Sequence, residues 1–314
     1  MASGKTIFTQ IVFFTVLAFA VTSTSGCRIW HRGWGLSSAS TIASRQYVQQ
    51  AVESLQQNDP TDASQKLELA IETNPENAEA RAMYADVLWK RGQRSEAIAE
   101  MERAVKNAEM TPNELIKLAW MYFEENDLAN AARWVEKGLK RDAAIADGWL
   151  LRGKIDEARG KNREAIAAYH QAIYYNPEDY RANLMLSNVY LKARQPQRAL
   201  ETIQGISSKF APNQEPVEVV YAEGMALYSL QRYSDATAYF AAAAAKNPRN
   251  PRFLEMLADA QFRAGQYDNA LQTAQAGMKL EPQSEPCREI LSQLAPGPAQ
   301  AEVSTQYGAS VNLP

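Results

Sequence analysis

Two cysteines and two histidines are all the thiols and imidazoles that 314 residues supply. Cys27 ends the stretch Thr24-Ser25-Gly26-Cys27 behind an apolar N-terminus, and Cys287 lies near the other end. A disulfide, a metal ligand and a lipid attachment point are the three chemistries open to Cys27. Two cysteines make no disulfide framework, and His31 and His170 leave little for a nitrogen-rich metal site. His170, beside Tyr169, reads as a surface or packing histidine rather than a general base. Cys287 reads as a partly buried thiol, pairing between chains being the alternative in an oxidising compartment. Ser3-Gly4-Lys5-Thr6 looks like the end of a phosphate loop, but that pattern needs a glycine five residues before Gly4, where the chain has not begun. No HExxH, Gly-x-Ser-x-Gly or paired cysteine set stands on a plausible element. Carboxylates are plentiful, yet they sit among Lys and Arg at helical i, i+4 spacing, and Glu124 to Asp127 is an acidic helix end. The expectation is therefore no catalytic residue, no cofactor, no metal and no small-molecule substrate.

The N-terminus has the build of an export signal. Lys5 is a weak positive n-region, and Ile11 to Val21 is an apolar run too short for a comfortable spanning helix. Thr24-Ser25-Gly26-Cys27 resembles the bacterial lipobox, whose cysteine is lipidated and becomes the new N-terminus. The departure is Thr24, where an aliphatic residue is usual. Cleavage after Ala18-Phe19-Ala20 and an uncleaved anchor are the competing readings. The resemblance implies a signal peptide over 1–26 and a lipidated Cys27 opening a tether over 27–43. It also implies an exported lipoprotein held at a membrane, facing the periplasm or the cell surface. Trp30 and Trp34 suit a headgroup-level belt.

Charge and composition narrow the partners. Net charge is −3 with a pI near 5.7, and both signs are mixed along the chain. No basic stripe exists to grip a phosphate backbone, so nucleic acid is excluded as a partner. The 46% hydrophobic content is enough to bury a large surface.

The elements repeat. Alanines recur at Ala63, Ala97, Ala131, Ala165, Ala199, Ala236 and Ala270, spaced 34 residues apart except for one interval of 37. Twelve residues before each stands a small residue: Ala51, Ala85, Ala119, Gly153, Ser187, Gly224 and Ala258. Four after come Leu67, Met101, Val135, Tyr169, Ile203, Phe240 and Ala274. Pro75, Pro177, Pro248 and Pro282 close four of the units. Small residues at fixed spacing let two helices approach closely, the bulkier column fills the space beside them, and proline stops the second helix.

This period and this order of small, small, bulky, small and Pro resemble the tetratricopeptide repeat, two antiparallel helices per unit. Trp149, Gly153, Ala165, Tyr169, Ala172 and Pro177 show it best. Arg152 and Asp156 depart from it, standing where Leu and Tyr are usual, as do Glu109, Ala143 and Ala211 in place of proline. The resemblance implies an all-α, right-handed superhelical solenoid of about seven repeats, at 44–77, 78–111, 112–145, 146–179, 180–216, 217–250 and 251–284. The longer interval, with Pro212 and Pro216, reads as a longer inter-repeat loop with unchanged stacking, a hinge being the alternative. A capping helix is expected over 283–295, with Ser284 at its N-cap and Ile290, Leu291 and Leu294 inward. The remainder, 296–314, is poor in large apolar residues and reads as a disordered tail.

In arrays of this kind the first helix of each unit lines the concave wall. Carrying the groove phases across names Asp86 and Trp89 in the second unit, and Ile116, Trp120 and Phe123 in the third. Leu150, Lys154 and Glu157 follow in the fourth, and Arg181, Leu184, Asn188 and Leu191 in the fifth. Tyr221, Met225 and Tyr228 belong to the sixth unit, and Arg252, Asp259 and Phe262 to the seventh. Exposed aromatic and aliphatic side chains are costly unless a partner covers them. The resemblance thus implies a scaffold that binds protein or peptide partners in the cell envelope, in assembly or secretion. A self-associating envelope protein and a secreted soluble repeat protein are the alternatives. The pattern of Lys, Asn and Arg that holds a C-terminal carboxylate in chaperone-binding repeats is absent, Asn188 standing alone.

Overall fold

The computed structural model describes residues 30–107, 111–211 and 213–294, with side chains from residue 39 onward except that of residue 107. The expected signal peptide, Cys27, the expected C-terminal tail and the side chains of Trp30 and Trp34 lie outside that description.

The described residues form fifteen helices and no strand. They run as seven antiparallel pairs: α1 (Trp30–Gln56) with α2 (Pro60–Thr73), α3 (Ala78–Lys90) with α4 (Arg94–Asn107), and α5 (Pro112–Glu124) with α6 (Leu128–Arg141). Then come α7 (Ala146–Ala158) with α8 (Asn162–Tyr175), α9 (Tyr180–Lys192) with α10 (Pro196–Ser207), α11 (Val217–Ser229) with α12 (Tyr233–Lys246), and α13 (Pro251–Arg263) with α14 (Tyr267–Leu280). A single helix, α15 (Glu285–Leu294), closes the array. This is the all-α solenoid with a terminal cap that the repeats imply.

Local chemistry explains the boundaries. Proline opens α2, α5, α10 and α13, where its missing N–H costs nothing. The side chains of Asp59, Asn77, Asp127, Asp179 and Asn250 accept hydrogen bonds from first-turn N–H groups. Between the helices of every pair one residue is left-handed: Asn58, Gly92, Asn126, Gly160, Arg194, Gln231 and Gly265, with φ from 58° to 81°. Glycine and asparagine take that conformation readily; Arg194 and Gln231 do not.

The small and bulky columns meet inside each pair and are buried throughout. Arg152 and Asp156, the polar intruders of the fourth unit, satisfy each other: Arg152 Nε donates to Asp156 Oδ2 at 2.8 Å, and Asp156 is 2% exposed. Ser284 caps α15 through a bond from the Cys287 N–H, and its own hydroxyl donates to Glu255. Ile290 is buried and Leu291 and Leu294 pack beside it. Cys287 is fully buried rather than partly, with Sγ pressed against the backbone of Gly277.

Residues 30–43, expected as part of a tether, are instead helical. No proline or cap stops α1 there, so it runs 27 residues where the first helices of the other pairs have 13. Ser44 ties it to the array: its hydroxyl donates to Ala70 O at 2.7 Å and accepts from Asn77 Nδ2 at 2.8 Å.

The longer interval is a loop over 208–216. Lys246 Nζ donates to Asn213 O (2.7 Å) and Glu215 O (2.9 Å), and Lys209 Nζ to Pro177 O (2.7 Å). Both α9 and α10 pack on α11 across it, so the stacking continues.

Successive first helices touch at α1–α3, α5–α7, α7–α9 and α9–α11, whereas no second helix packs comparably on the next second helix. Elements that touch along one side and splay along the other make a curve. The first helices therefore line its inner wall.

Candidate protein-binding groove

From the N-terminal side, the inner wall opens with aromatic residues. Trp89 is half-buried, with the Arg94 guanidinium stacked 3.8 Å from its ring centre. Trp120 and Phe123 meet edge to face at 5.8 Å, and the Lys154 ammonium lies 4.9 and 5.4 Å from their centres. Desolvated cations gain from aromatic faces, so Lys154 is held by the two rings.

An ionic belt follows. Asp86 accepts from Lys117 Nζ at 2.7 Å one repeat on, Asp147 from Arg181 at 2.7 Å, and Glu157 from Lys192 Nζ at 2.6 Å. Glu157 also accepts from the buried Tyr169 hydroxyl at 2.9 Å. Burial and that carboxylate both push the Tyr169 phenol above its ordinary pKa, so it remains a donor.

Beyond the belt the wall opens into a recess of about 440 Å³. Leu184, Asn188 and Leu191 enter it from α9, Tyr221 and Met225 from α11, and Arg252 from α13. Arg252 Nε donates to the Tyr221 hydroxyl at 3.1 Å across the repeat junction. Next along the wall, the Tyr228 hydroxyl donates to Asp259, which Arg263 also holds at 3.0 Å.

Six of the eighteen groove residues chosen from sequence — Leu184, Asn188, Leu191, Tyr221, Met225 and Arg252 — thus converge on one recess. Asp86, Trp89, Trp120, Phe123 and Lys154 lie half-buried on α3, α5 and α7, while Arg181 is exposed in the belt. Tyr228 and Phe262 stand half-buried outside the recess, toward the C-terminal end. Ile116 is a correction. It is 3% exposed, and its side chain fills the space that Gly138 and Gly148 leave open, so it is core and not groove. Leu150 is likewise buried, at 4%. Missed from sequence were Met185, Glu218, Asn247 and Asn250, which also line the recess. The two asparagines come from the turn between α12 and α13, which helix phases cannot reach; the recurring Asn-Pro of the turn was the available signal.

Two models of the tetratricopeptide repeat match the chain, one over residues 85–148 and 221–285, the other over 54–113 and 157–217, together more than half of it. The chain belongs to the tetratricopeptide-repeat family. No curated protein matches it. Solved structures of the same fold include a tetratricopeptide-repeat protein from Parabacteroides merdae, 12% identical over 81% of this chain and all of that one, with a TM-score of 0.61. Pseudomonas aeruginosa pilF is 16% identical over 70% of this chain and 99% of its own, with a TM-score of 0.59. YrrB, a tetratricopeptide-repeat protein with an unusual peptide-binding site, is 20% identical over 60% of this chain and 96% of its own, with a TM-score of 0.50. At these identities the likeness is one of fold, and in this tetratricopeptide-repeat protein the wall must be judged by its own side chains.

Proposed function

We propose that this protein is an exported, lipid-anchored scaffold of the cell envelope that holds a protein partner along its concave wall, with a role in envelope assembly or secretion. One observation carries the binding role: the recess where three successive first helices bring apolar side chains together beside Asn188, Asn247 and Asn250. An extended partner segment offers backbone N–H and C=O groups for the asparagine amides, and an apolar side chain for the space between Leu191 and Met225. The aromatic wall at Trp89 and Trp120 adds a second apolar contact further along. The protein supplies geometry and no bond-making step.

Sequence supports the location. The apolar run from Ile11 to Val21, followed by Thr24-Ser25-Gly26-Cys27, suits export and acylation, and the two or three chains of a bacterial lipoprotein anchor far more firmly than one.

In-cell crosslinking from the first helices, read by mass spectrometry, tests both halves. The expected result is crosslinks to a distinct envelope protein, lost in Met225→Lys with helicity unchanged, and a mature chain starting at an acylated Cys27. Crosslinks to other copies of this chain alone would replace the adaptor with a self-assembling scaffold. A chain starting after Ala20, or Cys27→Ser leaving detergent partition unaltered, would remove the anchor.

A further inference from the structure

Most charges along the inner wall are already matched. Lys117 is held by Asp86, Arg181 by Asp147 and Asp179, and Lys192 by Glu157. At the far side of the recess, Glu218 and Arg252 stand 34 residues apart on successive first helices, as Asp147 and Arg181 do, so their charges offset each other. Lys154, in the middle of this wall, forms no ion pair among the described residues. It is half-buried, with its ammonium over the rings of Trp120 and Phe123 at 4.9 and 5.4 Å. The nearest acid along its own helix, Glu157, is taken by Lys192 and the Tyr169 hydroxyl.

Ring faces return part of the hydration that such an ammonium gives up, and a carboxylate would return more. The rings also fix the ammonium in place, so an arriving carboxylate has little left to order. Asn188, the residue equivalent to Lys154 one repeat on, is the first side chain of the recess. Successive first helices lie about 9 Å apart, so the apolar floor between α9 and α11 is about 14 Å from α7, or about four residues of extended chain. On the premise that the concave wall is the partner face, we propose that the bound segment carries an acidic side chain on Lys154, about four residues from the apolar side chain in the recess. The acid is an internal Asp or Glu rather than a chain terminus, because the wall continues on both sides of Lys154. Trp89 and Trp120 lie one way and the recess the other, and a segment that ended there would leave one of them bare.

Selection of random 12-residue peptides displayed on phage against the full chain tests it. Selected peptides are expected to share Asp or Glu about four residues from Leu, Ile, Met or Phe. Lys154→Glu is expected to select Lys or Arg at that spacing instead, and Lys154→Gln to select the apolar residue alone. Circular dichroism checks that both variants keep their helicity. By fluorescence anisotropy, changing the acid of the best peptide to its amide should cost about fivefold on the natural chain and nothing on Lys154→Gln. Apolar peptides without an acid, or the same acid selected by Lys154→Glu, would overturn the pairing while leaving the groove as the partner face. An acid that acts only as a free C-terminal carboxylate would overturn it too. Peptides whose binding survives Met225→Lys would remove the recess, and the acid's spacing from it, together.

Discussion

Replacing Gly153 by alanine is expected to loosen the fourth repeat, but to cost almost nothing further in a chain whose Tyr169 has been shortened to leucine. A Cβ at position 153 would lie 2.4 and 2.5 Å from Tyr169 Cε1 and Cδ1. Those atoms belong to a fully buried ring, not to a flexible tip that can swing aside. Overpacking costs about 1–3 kcal/mol, and alanine returns about 1 kcal/mol of helix propensity over glycine. With a rigid ring so close the upper figure applies, giving a net loss of about 2 kcal/mol. Tyr169→Leu alone loses buried volume and the bond to Glu157, for about 2–4 kcal/mol. The other repeats show the remedy. Ala51, Ala85 and Ala119 face Leu67, Met101 and Val135, while glycine stands in that column only at 153 and 224, opposite Tyr169 and Phe240. The double variant rebuilds the Ala51–Leu67 pair, so the two losses should fall short of adding by about 2 kcal/mol. Repeat arrays unfold in segments, so urea unfolding by circular dichroism is to be joined with amide exchange in α7 and α8. Losses that add to within about 0.5 kcal/mol would refute the idea that ring size sets the glycine.

Arg194→Gly and Gln231→Gly should each raise stability by about 0.5–1 kcal/mol, the left-handed penalty of an L side chain less the entropy of glycine; a lower urea midpoint for either would contradict this. Arg152→Leu leaves the Asp156 carboxylate buried without its partner and should cost about 1–3 kcal/mol, whereas Arg152→Leu with Asp156→Tyr, the residues usual in the family, should be neutral or stabilising. Burial, helped by the charge of Arg198, holds the His170 pKa below its ordinary 6.5, so the unfolded chain binds the proton more readily than the folded one. The stability this histidine contributes is present above pH 6.5 and is lost as pH falls through its folded pKa. His170→Gln should flatten that part of the pH–stability curve, and an unchanged slope would show that another group carries it.

How much of this was legible depended on whether a property repeats. The pairing of helices, their handover at proline and the closing cap follow from columns of small and bulky residues, and seven copies make each column readable in a single chain. Features that occur once were harder. The length of α1 was missed because a helix that nothing stops leaves no mark in the periodicity. Ile116 was placed on the groove because its phase is correct for it. What moved it inward is that Gly138 and Gly148 have no side chain, a property of two other helices. The same holds for Asp156, whose burial is tolerable only because Arg152 lies one turn before it.

The recess shows the limit most clearly. Phase placed Leu184, Asn188, Tyr221, Met225 and Arg252 on the right side of their helices, but not together. Convergence needs the extra residues of the 208–216 loop to be absorbed without parting α9 from α11. The wall also has fixed spacing. Asp86 to Lys117, Asp147 to Arg181, Glu157 to Lys192, Tyr221 to Arg252 and Tyr228 to Asp259 each join one first helix to the next. Several are half-exposed, so each adds little to stability. Their common position on the inner wall gives them another consequence. A groove whose repeats are tied at their inner edge does not have to be ordered when a partner arrives, and the entropy left unspent appears as affinity. Cutting one tie far from the recess, as in Lys117→Ala, should therefore weaken partner capture through the curvature of the array while leaving every recess contact intact. Capture unchanged by such a cut would mean that the stacked cores alone set the curve.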